Sequence, residues 1–143
     1  MVALEAWYDV DHDEPAMIHT AADLDRVLDT VAGWEGRVIV ELFVADDPRR
    51  AIFDVGVYGQ GERGALYYAG RGEKWFSRGT MAAPSTVSPA ERLSYYYMTS
   101  DTEYPGDSEI PLDVVRRAAH EYMRTGGERP TSPTWQAAPD RRV

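Results

Sequence analysis

The chain has 143 residues, of which 43% are apolar and 27% are charged, a composition that suits a single globular domain with a real core. Its formal net charge of -9 argues against nucleic-acid binding, because that binding needs Lys and Arg to replace phosphate counterions. The absence of cysteine excludes disulfides, thiolate chemistry and cysteine-ligated metal sites. We expect a cytoplasmic protein, since the sequence shows no secretory signal and no apolar run approaching the roughly 18 residues that cross a bilayer.

The first predicted elements are an edge strand over residues 4–10 and a helix over residues 20–33. Thr20 and Asp23 have the spacing of a capping box in which Asp replaces the usual Glu or Gln. Gly33 suits the end of the helix. The apolar residues of this segment recur at helical spacing and form one stripe: Leu24, Val27, Leu28 and Val31.

After this helix the apolar period changes to two, which indicates strands. The segment 37–44 is apolar on both faces, as in a central strand. A glycine-rich turn at 59–64 separates strands 51–57 and 65–69, which indicates a hairpin. Residues 82–89, with two prolines, are predicted as a loop. Three further short strands are predicted over residues 74–78, 93–98 and 134–136.

A second helix is predicted over residues 111–125. Pro111 is acceptable at a first helical position, because its missing N–H has no partner inside the helix there. Asp113 in the first turn and Arg124 in the last both favour the helix dipole, and Gly126 ends the helix. The sequence therefore predicts an α+β fold: one domain over residues 1–143, with a central, mostly antiparallel sheet and two main helices.

No pattern of residues indicates catalysis, a metal site or a cofactor. The three histidines lack the Ser and Asp partners of a hydrolase, and no nucleophile elbow is present. Asp9, Asp11 and Asp13 begin like a calcium loop, but Glu14 and Thr20 stand where that loop needs Gly and Glu. The glycines between 56 and 64 lack the Lys-Ser or Lys-Thr of a phosphate loop. We predict that the protein is not an enzyme and has no cofactor.

Aromatic residues are concentrated on the predicted strands, at 67–68, 75–76 and 95–97. Because side chains alternate along a strand, at least one tyrosine of the 95–97 triplet must face away from its neighbours. Tyrosine and tryptophan are enriched at protein interfaces, since each joins a large apolar body to a polar tip. We expect about half of these rings in the core, because helices would cover only one face of the sheet.

The last third of the sequence carries the most specific pattern. It is an acidic-aromatic-proline start, a Ser-x-Ile-Pro before the helix, a Thr-Gly with Arg-Pro after it, and a closing tryptophan, and it runs from Glu103 to Trp135. Residues 103–135 therefore resemble the C-terminal signature of the first numbered family of immunity proteins from bacterial polymorphic toxin systems. The residues in question are Glu103, Tyr104, Pro105, Ser108, Ile110, Pro111, Glu121, Tyr122, Thr125, Gly126, Arg129, Pro130 and Trp135.

The resemblance implies a protein that is encoded beside a secreted toxin and binds its toxic domain inside the producing cell. Toxins paired with this family are often nucleic-acid deaminases, and other nucleic-acid-targeting toxins are included in the expectation. A toxin acting on nucleic acid needs a basic surface, and an inhibitor that covers it should be acidic and aromatic, as this chain is. The alternatives are an acidic protein-interaction module without a toxin partner and a small enzyme using Asp107 and Glu109.

The sequence predicts that the toxin is bound by an acidic, aromatic stretch with no basic residue between Arg92 and Arg116. The predicted binding residues are Tyr96, Asp101, Glu103, Tyr104, Asp107 and Glu109. Three alternatives stay open. In the first, the stretch is only a solvated loop. In the second, Glu103 and Ser108 either cap the following helix or pair with Arg116 or Arg117. In the third, the N-terminal acids form the contact surface instead. Tyr122 and Trp135 are expected to be mostly buried, since the signature around them suggests a role in the fold.

Overall fold

A computed structural model describes residues 2–138. Two α-helices, α1 and α2, span Ala21–Ala32 and Leu112–Thr125. Short 3-10 turns occupy Gly59–Gly61 and Gly106–Ser108. The strands β1 to β10 span, in chain order, Leu4–Trp7, Ala16–Ile18, Val38–Val44, Ala51–Tyr58, Arg63–Gly70, Glu73–Arg78, Arg92–Tyr97, Ser100–Pro105, Ile110–Pro111 and Thr134–Ala137.

Seven strands form the body of the sheet in the order β10-β6-β5-β4-β3-β1-β2, and every neighbouring pair is antiparallel. Strand β9 pairs with the start of β5. Strands β7 and β8 form a hairpin that joins the sheet through one parallel contact, between Val38 and Tyr96. The predicted α+β fold, with a mostly antiparallel sheet and two helices in one domain, is confirmed.

Both helices lie on one face of the sheet. The predicted stripe of α1 is buried, and α2 buries Val115, Ala119 and Tyr122 against strands β3 to β5. The Tyr122 ring lies 4.9 Å from that of Phe53, and its hydroxyl donates to the Ala51 carbonyl oxygen at 3.2 Å. Burying an aliphatic side chain such as Val115 contributes roughly 1.5–3 kcal/mol, so the many apolar side chains of this layer stabilise the fold.

The helix ends follow the sequence signals. The capping box at Thr20 and Asp23 is present in both directions, and Gly126 ends α2 with a left-handed φ of 72°. The predicted position of Pro111 is wrong by one residue, because the helix begins at Leu112. Pro111 has extended backbone with ψ 143° and pairs with Arg63 in the sheet, a role in which its missing N–H costs nothing.

The β7–β8 hairpin covers part of the opposite face of the sheet. Tyr95 and Tyr104 point from the hairpin onto Ile39, Ala65 and Phe76, which together form a second, smaller core. The hairpin approaches closely because Gly56 has no side chain: a Cβ there would lie 2.7 Å from the Tyr95 ring. A residue larger than glycine would therefore displace the hairpin.

The structure adds two strands that the sequence did not predict. Residues 101–105 form strand β8 and not a solvated loop, since they pair with β7 along its whole length. Strand β2, at Ala16–Ile18, was not predicted. Tyr122 is fully buried as expected, and Trp135, on the terminal strand β10 at the edge of the sheet, is partly buried against the main core. Neither α1 nor α2, the helices of the described part, is long and apolar enough to cross a membrane.

Candidate binding surface

The register of the hairpin brings three predicted binding residues together on its outer face. Tyr96 pairs with Asp101 and Ser94 pairs with Glu103, and directly paired residues of an antiparallel ladder share one face. Tyr96 is 52% exposed, and Ser94, Asp101 and Glu103 are exposed as well. We call these four residues the hairpin surface. It is the only part of the predicted site that the strands present to solvent as one group.

Tyr104 belongs to the inner face of the hairpin. Its exposed fraction is 0%, and its ring centroid lies 5.0 Å from those of Phe76 and Tyr95. Alternation along β8 explains the placement, because Tyr104 follows Glu103 and must point to the opposite side. Tyr104 therefore fixes the hairpin to the sheet, and its ring does not line the surface.

Glu109 is also buried, in an ion pair that connects three parts of the chain. Its carboxylate accepts two hydrogen bonds from the Arg37 guanidinium, at 2.7 and 3.1 Å, and one from the Tyr95 hydroxyl at 2.5 Å. The hydrogen bond to Glu109 raises the pKa of Arg37, and burial followed by the Glu109 charge raises the pKa of Tyr95. Arg37 also stacks on the Tyr58 ring at 4.2 Å. Glu109 has no basic residue near it in sequence, but it pairs with Arg37, which lies 72 residues away.

Asp107 is half-buried and faces β10. Its carboxylate accepts a hydrogen bond from the Gln136 side-chain amide at 3.0 Å, and its carbonyl oxygen accepts from the Gly79 N–H and the Ser85 hydroxyl, both at 2.7 Å. Ser85 also donates to the Glu109 carbonyl oxygen at 2.6 Å. Residues 107 and 109 are thus held in place by the loop before β7 and by β10.

The rest of the signature supports the fold as well. The buried Ser77 hydroxyl donates to the Ser108 carbonyl oxygen at 2.6 Å, and the Trp135 indole donates to the Pro130 carbonyl oxygen at 2.8 Å. Glu121 accepts from the Thr131 N–H at 2.6 Å and from the Ser132 N–H at 3.1 Å. Burial alone would raise the pKa of Glu121, but these hydrogen bonds outweigh it and the pKa is lowered. The signature therefore specifies the connection between α2 and β10.

The helix-pairing alternative for Glu103 and Ser108 is not what the structure shows. Arg116 pairs with Asp25 at 3.0 Å and with Asp29 at 2.7 Å, which joins α2 to α1. The Ser108 hydroxyl donates to the Pro105 carbonyl oxygen at 2.6 Å. Glu103 lies on the opposite side of the domain from α2, because the hairpin and the helices cover opposite faces of the sheet. Glu103 therefore faces solvent and does not cap α2.

The N-terminal acids form a turn before β2. The Asp9 carboxylate accepts from the Asp11 N–H at 3.0 Å and lies 3.6 Å from the His12 ring. Asp11 and Asp13 are exposed. Within residues 2–138, no group of three or more His, Asp or Glu side chains is arranged to hold a metal ion.

Beside the hairpin lies a surface that sequence reasoning missed. Successive strand pairings place Trp7, Glu41, Asp54 and Tyr67 side by side in one row on the face away from the helices. Glu5 pairs with Phe43 in the next row, and Ile52 lies two residues from Asp54 on β4. All seven side chains are half-buried. We call them the open sheet face. One sequence signal could have indicated this surface: polar Glu41 and Asp54 alternate with buried apolar residues in strands that are otherwise apolar.

The comparisons with known proteins agree with the C-terminal signature. The model of the family described as immunity protein Imm1 matches residues 12–137, which is most of the chain and extends the resemblance beyond residues 103–135. The comparison with curated proteins gave no match. The chain therefore belongs to the Imm1 family of immunity proteins.

Proposed function

We propose that this immunity protein neutralises its toxin by binding the toxic domain through the hairpin surface, in the cytoplasm of the producing cell. The observation that carries the proposal is the grouping of Tyr96, Asp101 and Glu103 on one exposed face, in a chain that belongs to an immunity family. A rigid hairpin suits recognition, because side chains already held in place lose little entropy on binding.

The charges of the hairpin surface favour a basic partner. Among the described residues, no Lys, Arg or His forms an ion pair with Asp101 or Glu103. Arg92, on the same face, instead donates to the carbonyl oxygens of Pro89 and Glu91. Complementary charge speeds association and rejects wrong partners, so the acids are available to a Lys or Arg of the toxin.

The proposed partner is a nucleic-acid-targeting toxin, such as a nucleic-acid deaminase. A domain that approaches nucleic acid carries a basic surface, and a protein of net charge -9 is complementary to that surface. Binding alone is sufficient for such inhibition. Asp107 and Glu109, the carboxylates considered for an enzyme, are both engaged in structural hydrogen bonds, which favours binding over catalysis.

The test compares two variants that lose the same charge. Tyr96→Ala with Asp101→Asn and Glu103→Gln alters the hairpin surface, whereas Asp11→Asn with Asp13→Asn removes two exposed acids from the N-terminal turn. The probe is the toxic domain encoded beside this gene, measured by titration calorimetry and by protection of growing cells. We expect the hairpin variant to bind about tenfold or more weakly and the control within about twofold of wild type.

Each other outcome contradicts a defined part of the proposal. If the wild-type protein neither binds nor protects against that toxin, the function is wrong. If the hairpin variant binds like wild type, the interface is not the hairpin surface. If the N-terminal control is the weaker binder, Asp11 and Asp13 belong to the interface.

A further inference from the structure

The loop between β6 and β7 contains the longest uncharged stretch of the chain. No Asp, Glu, Lys or Arg occurs from residue 79 to residue 90, although 27% of all residues are charged. We call residues 79–90 the uncharged loop. Most of its residues are exposed, among them Met81, Ala82 and Pro84. Depletion of charged residues together with methionine is typical of the core of a protein interface.

Met81 lies at the tip of the uncharged loop and is fully exposed. Among the described residues it is the most exposed large apolar side chain, at 102%, and the next, Val10, has 57%. The Thr80 N–H donates to the Ala83 carbonyl oxygen at 2.9 Å, and the Ala83 N–H donates to the Thr80 hydroxyl at 3.0 Å. Ala83 packs against the main core. A closed turn, held inward at Ala83, therefore presents Met81 to solvent.

Hydrogen bonds fix the uncharged loop to the rest of the fold. The Ser85 hydroxyl donates to the carbonyl oxygens of Asp107 and Glu109, at 2.7 and 2.6 Å, and the Arg63 guanidinium donates to the Pro84 carbonyl oxygen. A loop held in one conformation loses little entropy when a partner binds it. The loop is thus preorganised although its tip is uncovered.

The uncharged loop leads directly into the hairpin surface. Arg92, the first residue of β7, donates to the Pro89 carbonyl oxygen at 3.2 Å, and alternation places Arg92 on the same face as Ser94 and Tyr96. The exposed end of the loop at Pro89 therefore adjoins the hairpin surface. A stable interface uses roughly 20–30 residues a side, so the four residues of the hairpin surface need adjoining surface.

We infer that the uncharged loop is the apolar part of the toxin interface, and that Met81 inserts into an apolar pocket of the toxic domain. The inference rests on the proposed function and adds the chemistry of the toxin surface that is recognised. An unbranched, polarizable methionine side chain fills irregular apolar gaps well. A second copy of this chain fits less well as the partner, because two molecules of net charge -9 repel each other.

The test replaces Met81 and uses Met17 as the matched control. Met17 is 45% exposed and lies on β2, at the far edge of the sheet. With the toxic domain encoded beside this gene as the probe, we expect Met81→Ala to weaken binding about tenfold or more, mainly through faster dissociation. Met81→Glu should weaken binding further, because an apolar pocket does not solvate a carboxylate. Met17→Ala and Met17→Glu should bind within about twofold of wild type.

A salt series distinguishes an apolar contact from a charged one. The loss of affinity in Met81→Ala should be the same at low and high salt, because salt does not screen an apolar contact, whereas the loss in the hairpin variant should shrink as salt rises. Equal salt responses of the two variants would contradict the apolar role of the loop. If Met81→Glu binds more tightly than Met81→Ala, the loop faces a basic surface and the apolar pocket is wrong.

Thermal unfolding supplies an independent readout. Each Met81 variant should melt within about 2 °C of wild type, since truncating an exposed side chain leaves no cavity. Weaker binding with an unchanged melting temperature supports the inference. Binding that weakens only as the melting temperature falls contradicts it.

The outcomes separate the inference from the proposed function. If wild type does not bind the toxin, the proposed function fails and the inference with it. If wild type binds and the hairpin variant is weakened, but both Met81 variants bind normally, only the inference is wrong. Sedimentation of the protein alone completes the test: a dimer that Met81→Glu dissociates assigns the uncharged loop to a second copy and overturns the inference.

Discussion

Glu109 shows how one side chain can join three parts of the fold. Its carboxylate binds Arg37, which precedes β3, and Tyr95 of the hairpin, while its carbonyl oxygen binds Ser85 of the preceding loop. A buried pair of this kind contributes little net stability when intact, but losing one partner leaves the other uncompensated. The residue is therefore far more sensitive to substitution than an exposed acid.

We predict that Glu109→Gln lowers the free energy of unfolding by about 2–4 kcal/mol, since Arg37 keeps partial access to water and the loss is below that of a fully buried pair. Glu103→Gln, the matched change on the outer face, should alter stability by less than about 0.5 kcal/mol. Urea denaturation measures both. Equal stability of Glu109→Gln and wild type would show that the ion pair does not hold the hairpin.

Glu121 gives a pH-dependent prediction. Its pKa in the folded protein lies below the ordinary value of 4.5, because the hydrogen bonds from residues 131 and 132 outweigh burial. Its contribution to stability is therefore complete above pH 4.5 and is lost as the pH falls through the lower folded-state value. Glu121→Gln should be less stable than wild type near neutral pH, and the difference should shrink in acid. A urea series over pH measures this, and a constant difference would contradict it.

Individual residues also show which side-chain positions could be predicted from the sequence and which could not. The Tyr95–Tyr97 triplet behaves as alternation requires, with Tyr96 outward and Tyr95 inward. The burial of Glu109 was not predictable, because its partner Arg37 is distant in sequence and only the fold brings them together. The inward side of Tyr104 depends on strand β8, which the acidic sequence does not predict, and without a strand the sequence does not indicate which way a side chain points.

At the scale of elements, the two helix ends provide an internal comparison. Gly126 ends α2 with φ 72°, whereas Gly33 ends α1 in ordinary right-handed geometry with φ -81°. A Cβ at either position would meet nothing closer than 3.5 Å. The two sites therefore differ in backbone strain and not in space.

We predict that Gly126→Ala lowers the free energy of unfolding by about 1–2 kcal/mol, because alanine is strained at positive φ. Gly33→Ala should be neutral or stabilise by up to about 1 kcal/mol, since it reduces the entropy of the unfolded chain. Thermal unfolding of both variants distinguishes the two effects. Equal destabilisation would mean that the cap conformation of Gly126 is unimportant.

Long periodic elements were predictable, and short or polar ones were not. Both helices begin and end within about two residues of the predicted bounds, as a clear apolar stripe and glycine ends allow. Strand β8 was missed because acidic residues are uncommon in strands, although its order of Asp101, Thr102, Glu103 and Tyr104 alternates polar and less polar faces. The open sheet face depends on the pairing of β1, β3, β4 and β5, which no local pattern specifies.

At the scale of the whole molecule, the two faces of the sheet are covered differently. The helices build the core on one face, and the hairpin covers part of the other, where side chains such as Trp7 and Glu41 are half-buried. The signature residues hold the hairpin and β10 in place. They therefore determine the shape of the proposed interface from inside the fold. Variation among surface residues can then change the partner without disturbing the fold.

The net charge of -9 leads to a prediction for association kinetics. If the partner is a basic toxic domain, electrostatic steering should raise the association rate at low salt, and this rate should fall by about tenfold or more as salt rises towards about 0.5 M. The dissociation rate should change much less, because contacts already formed are screened weakly when water is excluded from them. Stopped-flow measurement over a salt series gives both rates.

A double variant of the hairpin acids, Asp101→Asn with Glu103→Gln and with Tyr96 retained, should show a smaller dependence of the association rate on salt. The variant Asp11→Asn with Asp13→Asn has the same net charge and supplies the comparison. If steering depends on total charge alone, the two variants have equal salt dependence. If the loss of the hairpin acids reduces the salt dependence of the association rate more, the toxin approaches the protein at the hairpin, because screened charges act over only about 10 Å at moderate salt. An association rate of the wild-type protein that is insensitive to salt would contradict a basic partner.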